Sequence, residues 1–135
     1  MLRLSRASFD AICDLAFREY PLEMCGLIAG PADSDAAEVF HPCRNAAQSA
    51  KVYTVDPKDF LRAERAADDA DLEIIGVVHS HTHSEPYPSP TDIAQAPDPT
   101  WHYVIVGLKR DAPEVRSYRI VDGSVTEEEV ELVDG

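Results

Sequence analysis

Three of the five histidines of this 135-residue chain lie in one short segment, residues 79–83 (HSHTH). On a β-strand, residues i and i+2 point to the same face, so His79 and His81 can converge on one ion. Asp92 follows eleven residues after His81 and adds a carboxylate. Two imidazoles and one carboxylate are good ligands for Zn²⁺, and three protein ligands leave a fourth position for water, as in catalytic zinc sites.

A purely structural interpretation of these residues stays open. The histidines can be solvated strand-end residues, and Asp92 lies where a carboxylate satisfies backbone N–H groups at a helix start. His83 shares the spacing, but three prolines in the segment 82–90 predict a loop, so we interpret it as a loop residue rather than a fourth ligand. Cys25 can approach the metal, although a buried free cysteine more often serves as a small hydrophobic residue.

A hydrolytic zinc site usually needs a proton shuttle, and Glu23 is the candidate. It opens the apolar segment 23–30 (EMCGLIAG), which is predicted to be a buried strand. Burial disfavours the charged form of a carboxyl group, whereas a nearby cation favours it. These opposed effects can poise Glu23 to accept and return a proton. A solvated carboxylate at a strand end is the alternative.

The elements that must position these residues alternate between helix and strand. A three-and-four periodicity predicts a helix from Ser5 that Pro21 ends. Asp56-Pro57 predicts the N-cap and first position of a second helix that runs to about Ala70. A third helix is predicted to begin at Ser89. Strands are predicted at residues 1–4, 23–30, 38–42, 52–55, 73–81, 101–108, 115–121 and 125–133, with a turn at 33–37.

This order predicts an α/β fold with one mixed β-sheet. Asp122-Gly123 is typical of a hairpin turn and places an antiparallel pair at the C-terminal end. The sheet is therefore expected to be mixed rather than purely parallel. The length predicts one domain over residues 1–135.

Composition and charge exclude several classes of partner. Lys and Arg number 12 against 25 Asp and Glu, which leaves a formal net charge of −13. Such a surface repels phosphate groups, so we expect no nucleic acid and no membrane as partner. The three cysteines, without CxxC spacing, argue against a disulfide framework and a zinc ribbon. Reduced thiols and no recognisable targeting segment predict a cytoplasmic protein.

Other metal-dependent enzymes fit the motifs less well. A zinc deaminase needs HxE with PCxxC, and a zincin needs HExxH; the chain contains neither. Polymerase-and-histidinol-phosphatase phosphoesterases need many further metal ligands downstream, where His102 is the last histidine. A metallo-β-lactamase needs aspartate where this chain has Ser84.

The chain resembles the JAMM (MPN+) zinc metallopeptidases in its motif, Glu23 followed by His79-x-His81-x7-Ser89-x-x-Asp92. The segment 23–30 is also similar to the family's sequence around its catalytic glutamate. The resemblance extends over essentially the whole chain and is nearest to the short actinobacterial Mec-type CysO-cysteine peptidases. It implies a JAMM-like (cytidine-deaminase-like) fold, a single domain with a mixed β-sheet flanked by helices.

The resemblance also implies a role for each motif residue. His79, His81 and Asp92 would hold one Zn²⁺ per chain, which lowers the pKa of water from 15.7 to about 7. Glu23 would take a proton from that water and pass it to the leaving amine. Ser89 would hydrogen-bond the oxyanion, although its hydroxyl is equally suited to cap the helix that it precedes.

The implied reaction is hydrolysis at the C-terminus of a ubiquitin-like sulfur-carrier protein with a Gly-Gly tail. The product would be cysteine released from a carrier–cysteine adduct, as in cysteine biosynthesis. Two alternatives remain open: an isopeptidase that removes ubiquitin-like modifiers, and a metal-binding scaffold without catalytic activity.

Overall fold

A computed structural model describes residues 1–134. Over this range the helices are α1 (Arg6–Glu19), α2 (Pro57–Asp69) and α3 (Pro90–Ala94). The strands are β1 (Leu2–Ser5), β2 (Cys25–Gly30), β3 (Ala36–Ala37), β4 (Val39–Cys43), β5 (Glu73–His81), β6 (His102–Gly107), β7 (Glu114–Val121), β8 (Ser124–Glu128) and β9 (Val130–Val133).

The central sheet has the strand order β4-β2-β5-β6-β7-β8. Strands β5 and β6 run parallel, and the other neighbours in this sheet are antiparallel. A smaller parallel sheet has the order β3-β1-β9. The predicted α/β fold with a mixed sheet flanked by helices is thus confirmed.

Helices α1 and α2 cover opposite faces of the central sheet. Ile12 of α1 packs in one hydrophobic cluster with Val78 of β5, while Ala63 of α2 packs in the other with Val77. Because side chains alternate along a strand, His79 and His81 follow Val77 onto the α2 face. Strand β5 pairs with β2 on one side and β6 on the other, so its C-terminal end is held from both edges.

The helix starts agree with the capping signals in the sequence. The Asp56 carboxylate accepts hydrogen bonds from the backbone N–H groups of Lys58 at 2.9 Å and Asp59 at 3.3 Å, with Pro57 as the first helical residue. The buried Asp59 carboxylate accepts a further bond from the Arg44 backbone N–H at 2.8 Å. This bond ties α2 to the loop that follows β4.

The structure corrects the prediction of a strand at 52–55. This segment makes a single antiparallel bridge, between Val55 and Asn45. The Asn45 side chain replaces regular strand pairing: its Oδ1 accepts from the Thr54 backbone N–H at 3.0 Å, and its Nδ2 donates to the Val52 carbonyl at 3.1 Å. We call residues 45–55 the Asn45 loop.

Three further predictions differ by more than a shift of one residue at a strand end. The expected turn at 33–37 contains β3, because Ala36 and Ala37 pair with β1. Gly30, which has no Cβ, leaves room for the Ala36 carbonyl oxygen. The expected strand 125–133 is split between the two sheets, since β9 leaves β8 and pairs with β1. Strand β2 begins at Cys25, so Glu23 precedes the strand instead of opening it.

In the part of the chain that is described, no helix has the length and apolar character needed to cross a membrane.

The Ser80→Ala variant tests how the Glu23 segment is joined to β5. The fully buried Ser80 Oγ accepts a hydrogen bond from the Met24 backbone N–H at 2.8 Å, and the Ser80 N–H donates to the Met24 carbonyl at 3.2 Å. Loss of the hydroxyl leaves the buried Met24 N–H without a hydrogen-bond acceptor. We therefore expect the free energy of unfolding to fall by about 1–3 kcal/mol in urea denaturation.

The matched control is Ser124→Ala, at an exposed position of β8. Its effect should stay within about 0.5 kcal/mol, as is usual for surface substitutions. Equal free energies of unfolding of the two variants would show that the Ser80–Met24 hydrogen bond does not stabilise the contact between the Glu23 segment and β5.

Candidate metal centre

Three predicted ligand atoms converge at the C-terminal end of β5. The Nε2 atoms of His79 and His81 lie 3.1 Å apart, and they lie 3.2 and 3.1 Å from Oδ2 of Asp92. A tetrahedral zinc site with bonds of 2.0–2.1 Å separates its ligands by about 3.3 Å. Within residues 1–134, no other group of three His, Cys, Asp or Glu side chains forms such a cluster. The arrangement therefore fits a metal site in both donor type and spacing.

Asp92 reaches the cluster through the start of α3. The Ser89 Oγ accepts a hydrogen bond from the Asp92 backbone N–H at 3.0 Å, and Asp92 Oδ2 accepts one from the Ser89 backbone N–H at 2.9 Å. This reciprocal capping box fixes the carboxylate over the histidines. Helix capping and metal ligation, which the sequence offers as alternatives for Asp92, are compatible in this geometry.

The hydrogen bonds of His81 leave its Nε2 suited to a cation. Its Nδ1 lies 2.8 Å from the Glu85 carbonyl oxygen, which can only accept, so Nδ1 carries a proton. In the neutral imidazole, Nε2 then presents a lone pair to the Asp92 carboxylate. Two electron-rich atoms 3.1 Å apart need a positive charge between or upon them. A proton on the ring or a bound metal ion can supply that charge.

The pKa values of His79, His81 and Asp92 shift because these groups are buried close to one another. Burial lowers the pKa of His79, which favours the neutral form that a metal ligand requires. Burial also acts to lower the pKa of His81, but the bonds to Asp92 and to the Glu85 carbonyl outweigh it and raise the pKa. Burial acts to raise the pKa of Asp92, but the two imidazoles, which donate to its carboxylate when Nε2 carries a proton, hold this pKa well below the usual range.

Sequence reasoning missed two contacts that hold the histidines in place. The Tyr53 ring stacks on the His79 ring, with centroids 4.3 Å apart and planes 19° apart. The Glu85 carbonyl orients His81, and the Glu85 carboxylate is anchored by Arg110 at 2.6 Å. An aromatic residue in an irregular loop and a backbone carbonyl carry no motif, so the sequence holds no signal that could have identified either contact.

Glu23 is a buried carboxyl group beside this cluster. Its side chain is 4% exposed, and its Oε1 has no hydrogen-bond partner among the described residues. Burial raises its pKa to about 7, with His81 acting to lower it and Asp92 to raise it. The Glu23 backbone is held by the Asn45 loop, through its N–H to the Ser49 carbonyl at 2.8 Å and its carbonyl to Asn45 Nδ2 at 3.0 Å.

Two cavities flank the cluster. The first, which we call the Glu23 cavity, has a volume of about 390 Å³ and is lined by Glu23, Ala50, Lys51, His81, His83, Ser84 and Ser89. The second, the Trp101 groove, has a volume of about 200 Å³, and its walls include Tyr53, Phe60, Trp101 and Asp92. Asp92 borders the second cavity and His81 the first, so each cavity has one residue of the candidate metal cluster in its wall.

His83 and Cys25 lie outside the ligand cluster. The exposed His83 ring contacts Tyr20, whose hydroxyl lies 3.2 Å from its Nε2. Cys25 lies opposite Cys43 in the β2–β4 pair, and its Sγ is 3.4 Å from the Arg44 carbonyl oxygen. Burial raises the pKa of the Cys25 thiol to about 12, so the group stays protonated. It is placed as a small hydrophobic residue of the α2-side core.

The chain is similar in sequence to a family of JAB-domain proteins and to named peptidases. Residues 5–121 match the family model described as prokaryotic homologs of the JAB domain. The chain is 46% identical over 126 residues to the CysO-cysteine peptidase of Mycobacterium tuberculosis, covering 93% of this chain and 86% of the relative. It is 36% identical over 86 residues to the desampylase of Haloferax volcanii, covering 63% of this chain and 62% of the relative.

Solved structures of similar fold agree with this result. A Desulfitobacterium hafniense protein superposes with a TM-score of 0.91 at 30% identity, covering 100% of this chain and 94% of that chain. A JAB1/MPN domain protein of Archaeoglobus fulgidus has a TM-score of 0.64 at 19% identity, covering 99% of this chain and 98% of that chain, and shows the shared fold. The resemblance to JAMM/MPN proteins is thus confirmed, and the chain belongs to the prokaryotic JAB-domain family.

Proposed function

We propose that this protein is a zinc-dependent metallopeptidase that hydrolyses the amide bond between the C-terminus of a ubiquitin-like sulfur carrier and an attached cysteine. The observation that carries the proposal is the convergence of His79, His81 and Asp92 beside the buried carboxyl group of Glu23. The similarity to an enzyme named CysO-cysteine peptidase supports the choice of substrate and a place in cysteine biosynthesis.

The donor set supports zinc as the metal. His79 and His81 supply nitrogen and Asp92 supplies oxygen, which leaves a fourth position for water. When bound there, zinc acidifies water and polarises the scissile carbonyl group. The imidazole of His81 is held by Glu85 and that of His79 by Tyr53, so both rings are oriented before the metal binds.

Glu23 moves the proton in the proposed reaction. Its carboxylate accepts a proton from the attacking water as the water oxygen bonds to the carbonyl carbon. It then donates this proton to the amine nitrogen as the carbon–nitrogen bond breaks. Burial raises the pKa of Glu23 and a bound cation would lower it, and these opposed effects suit a carboxyl group that must lose and regain a proton near neutral pH.

The Ser89 hydroxyl group can still donate a hydrogen bond while it caps α3. Its Oγ accepts from the Asp92 N–H, while its own hydroxyl proton remains available to donate. Ser89 lines the Glu23 cavity together with His81, so we assign it to the oxyanion of the tetrahedral intermediate. A donor in that position lowers the reaction barrier by roughly 3–4 kcal/mol.

The Trp101 groove is the proposed path of the carrier tail. Glu23 protonates the amine, so the leaving group lies on its side of the metal and the acyl part on the opposite side. The groove has a volume of about 200 Å³ and mostly apolar walls, and we assign it to an extended chain of small residues, which can lie close to the backbone. A Gly-Gly tail meets that requirement, whereas the folded body of the carrier must dock outside.

An isopeptidase acting on ubiquitin-like modifiers is the second candidate. The 36% identity to a desampylase favours it, and the same metal, Glu23 and groove would serve either reaction. The two activities differ in the leaving group, which is one amino acid in the first and a protein in the second.

Metal content provides the first test of the proposal. The purified protein should hold about one zinc per chain, and His79→Ala or His81→Ala should lose both the metal and the activity, because two ligands cannot complete the site. Mass spectrometry of the dialysed protein measures the zinc. His83→Ala is the matched control and should retain the metal. Full activity of a metal-free preparation would contradict the assignment.

The Glu23→Gln variant separates proton transfer from metal binding. The amide keeps the shape of the side chain but cannot carry the proton, so turnover should fall about 10²- to 10⁴-fold while zinc stays bound. Stability should not fall, since burial already disfavours the charged carboxylate. Glu19→Gln, at an exposed glutamate, is the control and should remain active. Loss of zinc from the Glu23 variant would make Glu23 a ligand instead, and full turnover with zinc bound would leave only a metal-binding scaffold.

Substrate length tests the role of the carrier. The complete carrier–cysteine adduct should be cleaved much faster than a short peptide with the same final residues, because the docked body positions the scissile bond. Replacing the penultimate glycine of the carrier by Phe should slow cleavage sharply without changing the zinc content, as measured by mass spectrometry of the products. Equal turnover of peptide and adduct would instead indicate a general carboxypeptidase.

A further inference from the structure

The Glu23 cavity contains a basic residue that the proposed reaction does not yet use. Lys51 lines this cavity together with Glu23, which donates the proton to the leaving amine. The group released by hydrolysis must therefore lie in the cavity that Lys51 borders. A volume of about 390 Å³ is within the range of sites for small molecules, so a single amino acid can enter it.

The backbone of Lys51 is held in place relative to Glu23. The Ser49 Oγ accepts hydrogen bonds from the backbone N–H groups of Lys51 at 3.0 Å and Val52 at 3.3 Å. The Ser49 carbonyl oxygen accepts the Glu23 N–H at 2.8 Å, and Asn45 Nδ2 joins the carbonyls of Glu23 and Val52. The same loop therefore fixes the proton carrier and the start of the lysine side chain.

The Lys51 ammonium group is available to a ligand. Over residues 1–134 it forms no ion pair with a carboxylate, and its side chain is exposed. Glu23 lines the same cavity, and the whole chain has a net charge of −13. A carboxylate that enters this cavity is repelled by an ionised Glu23, and a cation on the cavity wall offsets that repulsion.

The two candidate reactions differ in their need for this cation. A cysteine leaving group joined through its α-amine brings its own α-carboxylate into the Glu23 cavity. The side-chain amine of a lysine within a target protein brings no carboxylate, because the α-carboxyl group of that lysine is part of a peptide bond. A basic residue beside Glu23 therefore favours the release of a free amino acid.

We infer that the Glu23 cavity is a leaving-group subsite for one amino acid, and that Lys51 is a specificity-determining residue that binds its α-carboxylate. This inference rests on the proposed function and adds to it: the enzyme removes a single residue with a free carboxylate from the carrier. A charge-assisted hydrogen bond of this kind favours the free acid about tenfold over an uncharged analogue.

The test compares two substrates that differ in one group. The CysO carrier of Mycobacterium tuberculosis is joined to cysteine or to cysteinamide, and hydrolysis by the zinc-loaded protein is followed by mass spectrometry. The wild-type protein should cleave the acid with a kcat/KM about ten times that of the amide. Lys51→Met should reduce this ratio to about one, chiefly by raising KM for the acid, and Lys51→Arg should restore much of the preference.

Lys58→Met, at a lysine in the first turn of α2, is the matched control and should keep the wild-type ratio. All variants should hold the same amount of zinc. Equal cleavage of acid and amide by the wild-type protein, or an unchanged ratio in Lys51→Met, overturns the role of Lys51 while the peptidase assignment stands. Failure of the wild-type protein to cleave either adduct overturns the proposed function and, with it, the subsite.

Discussion

The site depends on one constraint, which is that the electron-rich side chains of His79, His81 and Asp92 lie close together and repel one another. Two imidazole nitrogens and a carboxylate oxygen lie 3.1–3.2 Å apart at the end of β5, and all three side chains are largely buried. In such surroundings the repulsion between lone pairs is poorly screened, so a positive charge, from a ring proton or a bound cation, is needed to hold the groups together. The Ser89 capping box, the Glu85 carbonyl and the Tyr53 ring fix these three groups in position.

The three groups are held by elements of the fold that strand pairing and core packing keep in place. Strand β5 lies between β2 and β6, and hydrophobic clusters cover both of its faces. The end of β5 therefore cannot move without disturbing the core. Asp92 is placed by the capping box of a single-turn helix, and His81 by the Glu85 carbonyl. Because these contacts are hydrogen bonds with strict geometry, they orient the ligands as well as holding them.

The two cavities beside the cluster differ in their lining residues, and the substrate direction that we propose follows from this difference. The walls of the Trp101 groove are mostly apolar and aromatic side chains, while the walls of the Glu23 cavity include an acid and a lysine. An amide substrate has two unlike halves, and these cavities suit an extended tail and a charged amino acid respectively. The Asn45 loop contributes to both sides, with Tyr53 in the groove and Lys51 in the cavity.

Local patterns were sufficient for the residues whose placement depends on near neighbours in the chain. Alternation places His79 and His81 on one face, β5 has its predicted bounds, and the capping residues Asp56 and Ser89 mark helix starts. Each depends on backbone geometry over a few residues. The stacking of Tyr53 on His79, the place of Lys51 beside Glu23 and the pairing of β9 with β1 were decided only by the tertiary structure. These contacts join segments that are distant in sequence, and they depend on how Asn45 shapes its loop and on which strand edges remain open once the sheets have formed.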